Sequence, residues 1–307
     1  MIYKYYCEQR KVIYNLSIGG IKMKKLISGK VRDVFEVDPA HLMIVTTDRI
    51  SAFDVILDSY IPNKGIALNL LSNFWFSYTK DIIPNHIIST SLEDMPGEIS
   101  KLPELYKNRT VLVKKLKMLP YEFIVRGYLF GNMWDAYKQG KPFCGQIIEG
   151  SYRQAEQLPV PIVTPAKKIN DGHDEYISFD QLALELGKEE AGNLCEISLI
   201  LYKRCCLFAR ERGIIIADTK FEFGYDPSGV LTLGDEIFTP DSSRFWDASA
   251  YKVGESPKSY DKQFVRDWLI SNNLNGVKPA PQLPLEVINK TADIYKECLE
   301  KLTDIIL

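Results

Sequence analysis

The chain has 307 residues, of which 46% are hydrophobic and 25% are charged. That balance is typical of a globular protein that buries a sizeable core. The formal net charge is −2, from 38 basic and 40 acidic residues, so there is no global electrostatic reason to expect a nucleic acid or a membrane as partner. Any anionic ligand must therefore be held by a local cluster of cations.

The six cysteines include no CxxC pair and only three histidines are present, so a structural zinc site is not expected. Free thiols in a reducing compartment are the expectation. No apolar run approaches the roughly 20 residues that span a bilayer, and the first residues lack the apolar core of a signal peptide. These features predict a cytoplasmic protein.

Residues 1–22 carry no periodic pattern that continues into the rest of the chain, whereas Met23 opens a segment that looks like the start of a domain. We expect an N-terminal extension that is dispensable for folding and activity. An upstream start assigned in error is the alternative.

The first domain-like segment mixes strands and helices. Within residues 25–47, two short apolar runs flank Asp38 and Pro39, which predicts a hairpin of half-buried strands. Residues 67–79 place Leu68, Leu71 and Trp75 at three- and four-residue spacings, so they predict an amphipathic helix. A further strand is expected at residues 110–116. Residues 23–119 are thus assigned to an N-terminal α+β lobe.

After Pro120 the sequence predicts longer helices, at residues 133–139, 179–186, 193–212, 261–271 and 285–301. Between them, residues 214–236 are interpreted as two apolar strands joined by an Asp-Pro-Ser-Gly turn, a strong hairpin signal. Because there is no regular βαβ alternation, we expect an α+β protein of two lobes joined near residues 118–122. Residues 120–307 form the second lobe.

Familiar nucleotide and hydrolase motifs are missing: the P-loop, the Rossmann glycine fingerprint, HExxH and GxSxG. The short glycine turn SGKVR at residues 28–32 offers backbone N–H groups and two cations to a phosphate. An ordinary β-turn is the more frequent use of such a sequence.

The strand at residues 214–225 gives the sharpest signal. Alternation places Asp218, Lys220 and Glu222 on one face. Its apolar start indicates a central strand, where charges are costly unless they are paired with each other, a metal or a ligand; a solvated face is the alternative. Asp235 and Glu236 end the returning strand within reach of Glu222. Such carboxylates suit Mg²⁺, unless they only mark a charged strand terminus.

Residues 120–140 place Arg126 after an apolar strand, and Asn132 as the N-cap of a short helix that begins at Met133. A cation beside a helix N-terminus can bind an anion, although Arg126 could instead pair with a surface carboxylate. Residues 47–54 predict a loop with a satisfied ion pair, and residues 167–175, with His173, a solvated loop. Residues 239–244 predict a polar turn or a capped helix start.

In this order, eight segments resemble the SAICAR synthetase family: SGKVRDVFEV, TDRISAFDV, KGIALN, PYEFIVRGYLFGN, HDEYIS, IIIADTKFEFG, LGDEIFTPDSSRFW and SYDKQFVRDWL. The resemblance covers residues 25–269. It implies a two-lobed fold related to ATP-grasp enzymes. It also implies that ATP drives the joining of L-aspartate to CAIR, a carboxylated aminoimidazole ribonucleotide, giving SAICAR, ADP and phosphate with Mg²⁺ as cofactor.

The resemblance also carries roles to positions of this chain. It places Gly29, Lys30 and Arg32 over the ATP phosphates, and Lys114 and Met118 near the adenine. It places Glu222 and Asp235 at the metal and ATP. The positions that contact CAIR are Arg126, Asp218, Lys220, Ser243, Arg244 and Arg266. Where the family usually has Gly-Ser, this chain has Gly131-Asn132, and we expect Asn132 to hold the CAIR phosphate.

The implied chemistry suits these residue types, because a carboxylate accepts an amine only after one of its oxygens becomes a leaving group. ATP supplies that as an acyl phosphate, a positioning and electrostatic task that suits Lys220. Asp218 is the candidate for the base that takes the amine proton. Rival hypotheses are a small-molecule kinase of related fold and an inactive nucleotide-binding regulatory module. A monomer or small homo-oligomer is expected.

Overall fold

The computed structural model describes residues 24–95, 100, 102, 104–169 and 174–307. The predicted extension at residues 1–22 lies outside these residues, as do Cys7 and His173. Cysteines 144, 195, 205, 206 and 298 are free thiols. Among the described residues, no helix is both long enough and apolar enough to cross a bilayer.

Strands dominate the first half of the chain. They are β1 (Lys24–Ser28), β2 (Arg32–Asp38), β3 (His41–Thr46), β4 (Arg49–Ala52), β5 (Val55–Tyr60), β6 (Ile87–Ser89), β7 (Thr110–Lys114), β8 (Lys117–Met118), β9 (Tyr121–Tyr128), β10 (Gln157–Lys167), β11 (Glu175–Tyr176), β12 (Ile214–Tyr225), β13 (Leu231–Gly234) and β14 (Ser243–Asp247). The helices are α1 (Lys64–Tyr78), α2 (Asn132–Lys138), α3 (Phe179–Leu186), α4 (Lys188–Glu211), α5 (Gln263–Ser271) and α6 (Leu285–Thr303). The mixture confirms the predicted α+β class.

The first sheet has the order β1-β2-β3-β7-β6, and all its pairs are antiparallel. The predicted hairpin is confirmed as β2 and β3, and the predicted strand at residues 110–116 as β7. On one face Phe35, Met43 and Leu112 pack with Tyr106 in a small core. This sheet holds the SGKVR turn between β1 and β2, where the Gly29 N–H donates to the Arg32 carbonyl over 2.8 Å.

The second sheet has the order β11-β10-β9-β12-β13, with β14 and β8 also paired to β12. The predicted 214–236 hairpin is confirmed as β12 and β13. Because β12 pairs with four neighbours, it is central, as its apolar start predicted. One face of the sheet packs against α1 and α4, and Phe221, Phe223 and Trp75 meet there in the largest core cluster. That packing fixes the opposite face of β12, which carries the charges.

The positions of the helices were predicted well, but the first residues of some helices were not. The α3 bounds match the prediction, and α2, α5 and α6 agree within about two residues at each end. Helix α1 begins three residues before the predicted start, after Asn63 in a left-handed conformation. Helix α4 begins at Lys188 rather than residue 193. It runs through Gly192, a poor helix former, because Ala191 and Leu194 on either side are buried in the core.

Two predictions about the segment at residues 120–140 are wrong in detail. Arg126 lies inside β9 rather than after it. Asn132 is the first residue of α2 and not its N-cap, and no side chain caps this helix. The N-cap is Gly131, whose φ of 59° is a conformation that glycine adopts without strain. The chain therefore turns into the helix one residue earlier than predicted, and the Asn132 amide is free to face Tyr176, whose hydroxyl lies 3.4 Å away.

The predictions for two further polar segments are confirmed only in part. Residues 49–52 form β4 rather than a loop, because Ile50 and Ala52 are buried against α5 and α6. The ion pairs there are Arg49 with Asp33 at 2.7 Å and Asp48 with Arg109 at 3.2 Å. Residues 239–242 form the predicted polar turn and Ser243 begins β14, so the alternative of a helix start is wrong.

Candidate active site

A charged cleft lies between the two sheets and consists of two adjoining cavities. The first, of about 480 Å³, is lined by the SGKVR turn and by charged residues of the second sheet. The second, of about 410 Å³, is lined by polar residues of β9, β12 and the turn before β14. Four residues line both cavities: Glu122, Lys220, Asp241 and Lys262. The cavities therefore adjoin, and these side chains mark their boundary.

Strand β12 supplies the centre of this cleft. Asp218, Lys220 and Glu222 share the face opposite Phe221 and Phe223, so the predicted alternation is confirmed. The solvated-face alternative is wrong, because Asp218 and Glu222 are only 6% and 5% exposed. Their charges are compensated by neighbouring side chains.

Lys220 holds three carboxylates together. Its Nζ lies 2.5 Å from Glu222, 2.9 Å from Asp235 and 3.3 Å from Glu122. Burial alone would lower the pKa of Lys220, but the carboxylates of Asp235, Glu222 and Glu122 raise the pKa well above its ordinary value. Lys220 is therefore a fixed cation and not a proton carrier at neutral pH.

Arg32 reaches across from the first sheet to Asp235 and to a further carboxylate, that of Glu236. Its guanidinium lies 2.7 Å from Asp235 and 3.3 Å from Glu236. Burial opposes ionisation of Asp235, but Arg32 and Lys220 hold the pKa of this carboxyl well below its usual range. Burial and the charge of Asp235 raise the pKa of Glu222. Their neighbours thus shift the pKa values of these two carboxyls in opposite directions.

Two members of this cluster escaped the sequence analysis. Glu122 lies in β9, and Lys168, at the end of β10, contacts Glu222 directly. Alternation along β9 was the missed signal for Glu122, because it places Glu122, Ile124 and Arg126 on the face that lines the second cavity. Lys168 lies in a segment interpreted as a solvated loop, and its contact depends on the pairing of β10 with β9.

The second cavity is organised around Asp218, which is engaged by two arginines. Arg126 lies 3.3 Å from its carboxylate, and Arg244 contacts the same oxygen. Arg126 also donates to Thr164 at 3.0 Å and to Tyr176 at 3.2 Å. The alternative that Arg126 pairs with a surface carboxylate is wrong, because this side chain is 3% exposed. Asn132, Ser243 and Arg266 line the cavity too, so the structure brings the predicted CAIR residues together.

Beneath the boundary of the two cavities lies a buried pair that local sequence patterns did not indicate. Lys64 Nζ, fully buried, is 2.6 Å from Asp241, and the Tyr295 hydroxyl donates to the other oxygen of that carboxylate over 2.7 Å. Burial lowers the pKa of Lys64. These contacts tie α1 and α6 to the turn before β14, which carries Ser243 and Arg244.

The predicted nucleotide contacts of the first lobe lie around the first cavity in different ways. Gly29 and Lys30 line it, and Lys30 reaches Asp54 at 2.6 Å. Lys114 and Met118 line neither cavity: Lys114 pairs with Asp226 at 3.2 Å, and Met118 is 40% exposed beside Gly224. Their contact with the adenine stays a prediction.

The described residues contain no group of three or more His, Cys, Asp or Glu side chains arranged to hold a metal ion by itself. Mg²⁺ is commonly held by one or two carboxylates, with phosphate oxygens and water completing its shell. Glu222 and Asp235 converge on one Nζ, so their carboxylates lie close together. These two residues fit a metal ion that arrives with a nucleotide.

Comparison with known proteins identifies what this arrangement is similar to. The SAICAR synthetase family matches residues 25–283. The phosphoribosylaminoimidazole-succinocarboxamide synthase of Chromobacterium violaceum is 49% identical over 281 residues, covering 91% of this chain and 98% of that protein. The Cupriavidus metallidurans synthase is 48% identical over 299 residues, covering 95% and 97%. The solved SAICAR synthase of Saccharomyces cerevisiae, complexed with SAICAR, is 41% identical with a TM-score of 0.86 and covers 95% of this chain and 98% of its own.

Proposed function

This chain belongs to the SAICAR synthetase family, and we propose that its cleft binds ATP in the first cavity and CAIR in the second. As a family member it is an ATP-dependent ligase of purine biosynthesis, joining L-aspartate to the CAIR carboxylate. The observation that carries the proposal is the shared boundary. Lys220 and Glu122 line both cavities, so a phosphoryl donor in one and an acceptor in the other would meet at Lys220.

In the first step, a CAIR carboxylate oxygen attacks the γ-phosphorus of ATP, a P–O bond to ADP breaks, and an acyl phosphate forms. Charge builds on the transferring oxygens, and a fixed cation stabilises that charge without having to reorganise. Lys220 is such a cation, because three carboxylates keep it protonated and in place. Arg32 and Lys30 are proposed to orient the phosphates. Mg²⁺ at Glu222 and Asp235 would neutralise phosphate charge.

In the second step, the aspartate amine attacks the acyl carbon, the C–N bond forms, and phosphate leaves as the C–O bond breaks. The amine proton must pass to a base. Asp218, which contacts Arg126 and Arg244, remains our candidate. Asp261, also in the second cavity, is a further candidate, because burial raises the pKa of its carboxyl.

The residue roles support two lobes, residues 23–119 and 120–307, that contribute different groups to the cleft. The first lobe contributes the glycine turn and Arg32, and the second contributes the carboxylates, Lys220 and the arginines around Asp218. A cytoplasmic setting suits the free thiols.

The decisive experiment measures ADP release by the purified protein. We expect release that requires CAIR, L-aspartate and Mg²⁺ together. ADP formed steadily from CAIR alone, without an effect of aspartate, would establish the kinase hypothesis instead. ATP binding with no turnover under any combination would establish the inactive regulatory module.

A further inference from the structure

Behind the second cavity, one buried tyrosine lies where β9 and β12 separate. Tyr202 of α4 is 4% exposed, and its hydroxyl donates to the Ile216 carbonyl over 2.6 Å, with the Ala217 carbonyl 3.3 Å away. One helical turn later, Cys206 Sγ lies 3.7 Å from the same Ile216 oxygen. Tyr202 lines neither cavity of the cleft.

The hydroxyl sits where the strand pairing becomes irregular. Pairing of β12 with β9 begins at Asp218 opposite Arg126, so Ile216 and Ala217 have no partners in β9. Pairing of β12 with β14 skips Ala217, the mark of a β-bulge. A bulge leaves backbone groups without ladder partners and re-aims the side chains beside it. The Tyr202 hydroxyl reaches the carbonyls of both Ile216 and Ala217 at this bulge.

The opposite wall of the gap is shaped to receive this hydroxyl. Gly127 follows Arg126 directly in β9, and a Cβ at Gly127 would clash with the Tyr202 hydroxyl. Glycine in a strand interior often marks such a close approach. The Tyr202 hydroxyl thus lies next to Gly127, which follows Arg126, and next to Ala217, which precedes Asp218.

We propose that Tyr202 is a positioning residue for CAIR binding. Its hydroxyl fixes the residue at which β9–β12 pairing ends and the backbone conformation of the bulge at Ala217. It thereby orients the Arg126 and Asp218 side chains into the second cavity. The inference rests on the proposed function, since it takes Arg126 and Asp218 to hold CAIR.

The test compares Tyr202→Phe with Tyr251→Phe. Both variants remove a hydroxyl that donates to a backbone carbonyl, and Tyr251 bonds Ala155 at 2.7 Å, outside the cleft. Since one hydrogen bond contributes about 1 kcal/mol, we expect the KM for CAIR to rise about three- to tenfold in Tyr202→Phe. The KM for ATP should stay unchanged, and Tyr251→Phe should leave both constants unchanged. Gly127→Ala, which displaces the hydroxyl without removing it, should reproduce the rise.

Arg126→Lys separates failure of this inference from failure of the proposed function. If Arg126→Lys raises the KM for CAIR while Tyr202→Phe and Gly127→Ala do not, the positioning role is overturned and the CAIR site stands. Equal rises for ATP and CAIR in Tyr202→Phe would also overturn it, because that is the pattern of general loosening. An unchanged KM for CAIR in Arg126→Lys would overturn both the positioning role of Tyr202 and the proposed CAIR site.

Discussion

Replacing Lys220 by methionine keeps the length of the side chain and removes the charge on which three carboxylates converge. Breaking a buried ion pair by deleting one partner typically costs about 3–5 kcal/mol, because the other charge stays buried and unpaired. Here the loss is smaller. Lys168 still contacts Glu222 and Arg32 still contacts Asp235, and the Lys220 side chain is 21% exposed. We therefore expect a loss of about 2–3 kcal/mol in the free energy of unfolding at neutral pH.

The loss should depend on pH in a definite direction. Burial and Asp235 already raise the pKa of Glu222 above its ordinary 4.5, and removing Lys220 raises that pKa further. The folded state then binds a proton at Glu222 that the unfolded state has released, so stability falls as the pH rises above the unfolded pKa. The deficit of Lys220→Met should accordingly be largest near neutrality and shrink toward pH 4.5.

The assay is urea unfolding without ligands, at about pH 5 and about pH 7.5. These two pH values lie on either side of the range in which a carboxyl with a raised pKa titrates. Lys167→Met is the matched control, because Lys167 pairs with Glu185 at 2.6 Å with both side chains about 40% exposed. Such pairs contribute at most about 1 kcal/mol. Lys220→Arg keeps the charge and should keep most of the stability. A Lys220→Met protein that unfolds at the wild-type urea concentration, or with the same deficit at both pH values, would refute the reasoning. Ligase turnover should fall by on the order of a hundredfold or more.

Other expectations concern His86 and Asn132. Burial lowers the pKa of His86 from 6.5 to about 4, so between these values the unfolded chain binds a proton that the folded chain does not, and stability should fall by up to about 3 kcal/mol as the pH drops. In His86→Gln the melting temperature should depend less on pH between about 4 and 6.5. An unchanged pH dependence would show that other groups cause it. Since Asn132 is not the N-cap, Asn132→Ala should cost little stability but raise the KM for CAIR severalfold, while Asn132→Ser stays near wild type. A wild-type KM in Asn132→Ala would end the phosphate role.

The parts of this protein that could be predicted from sequence are those governed by short-range periodicity. A period of two along β12 is enough to separate Lys220 from Phe221 and Phe223, because the backbone itself sets which side chains share a face. The amphipathic spacing of α1 likewise predicted that Leu68 and Trp75 are buried. Local patterns therefore indicated both the charged face and its packing partner.

The features that the sequence could not predict depend on contacts between distant segments. Lys64 and Asp241 are 177 residues apart, and neither lies in a local pattern that demands a partner. The Asn132 error has a different origin. Both Gly and Asn are acceptable N-caps, so only the backbone conformation of Gly131 decides which residue begins the helix. Recognising the Gly131-Asn132 motif in the sequence did not determine its backbone conformation.

The two ends of the charged face on β12 show how a chain with almost no net charge can bind ligands of opposite character. At Asp218, one carboxylate is shared by two guanidiniums, so positive charge is in excess. Around Lys220, the four carboxylates of Glu122, Glu222, Asp235 and Glu236 face three cations, Lys220, Lys168 and Arg32, so negative charge is in excess. Residues two apart on a strand are separated by about 6.5 Å, which places an environment for anions next to one for a metal ion. Because these groups are largely buried, salt screens them less than it screens surface charges. The site thus follows from local pairing on one strand, and the composition of the whole chain has no bearing on it.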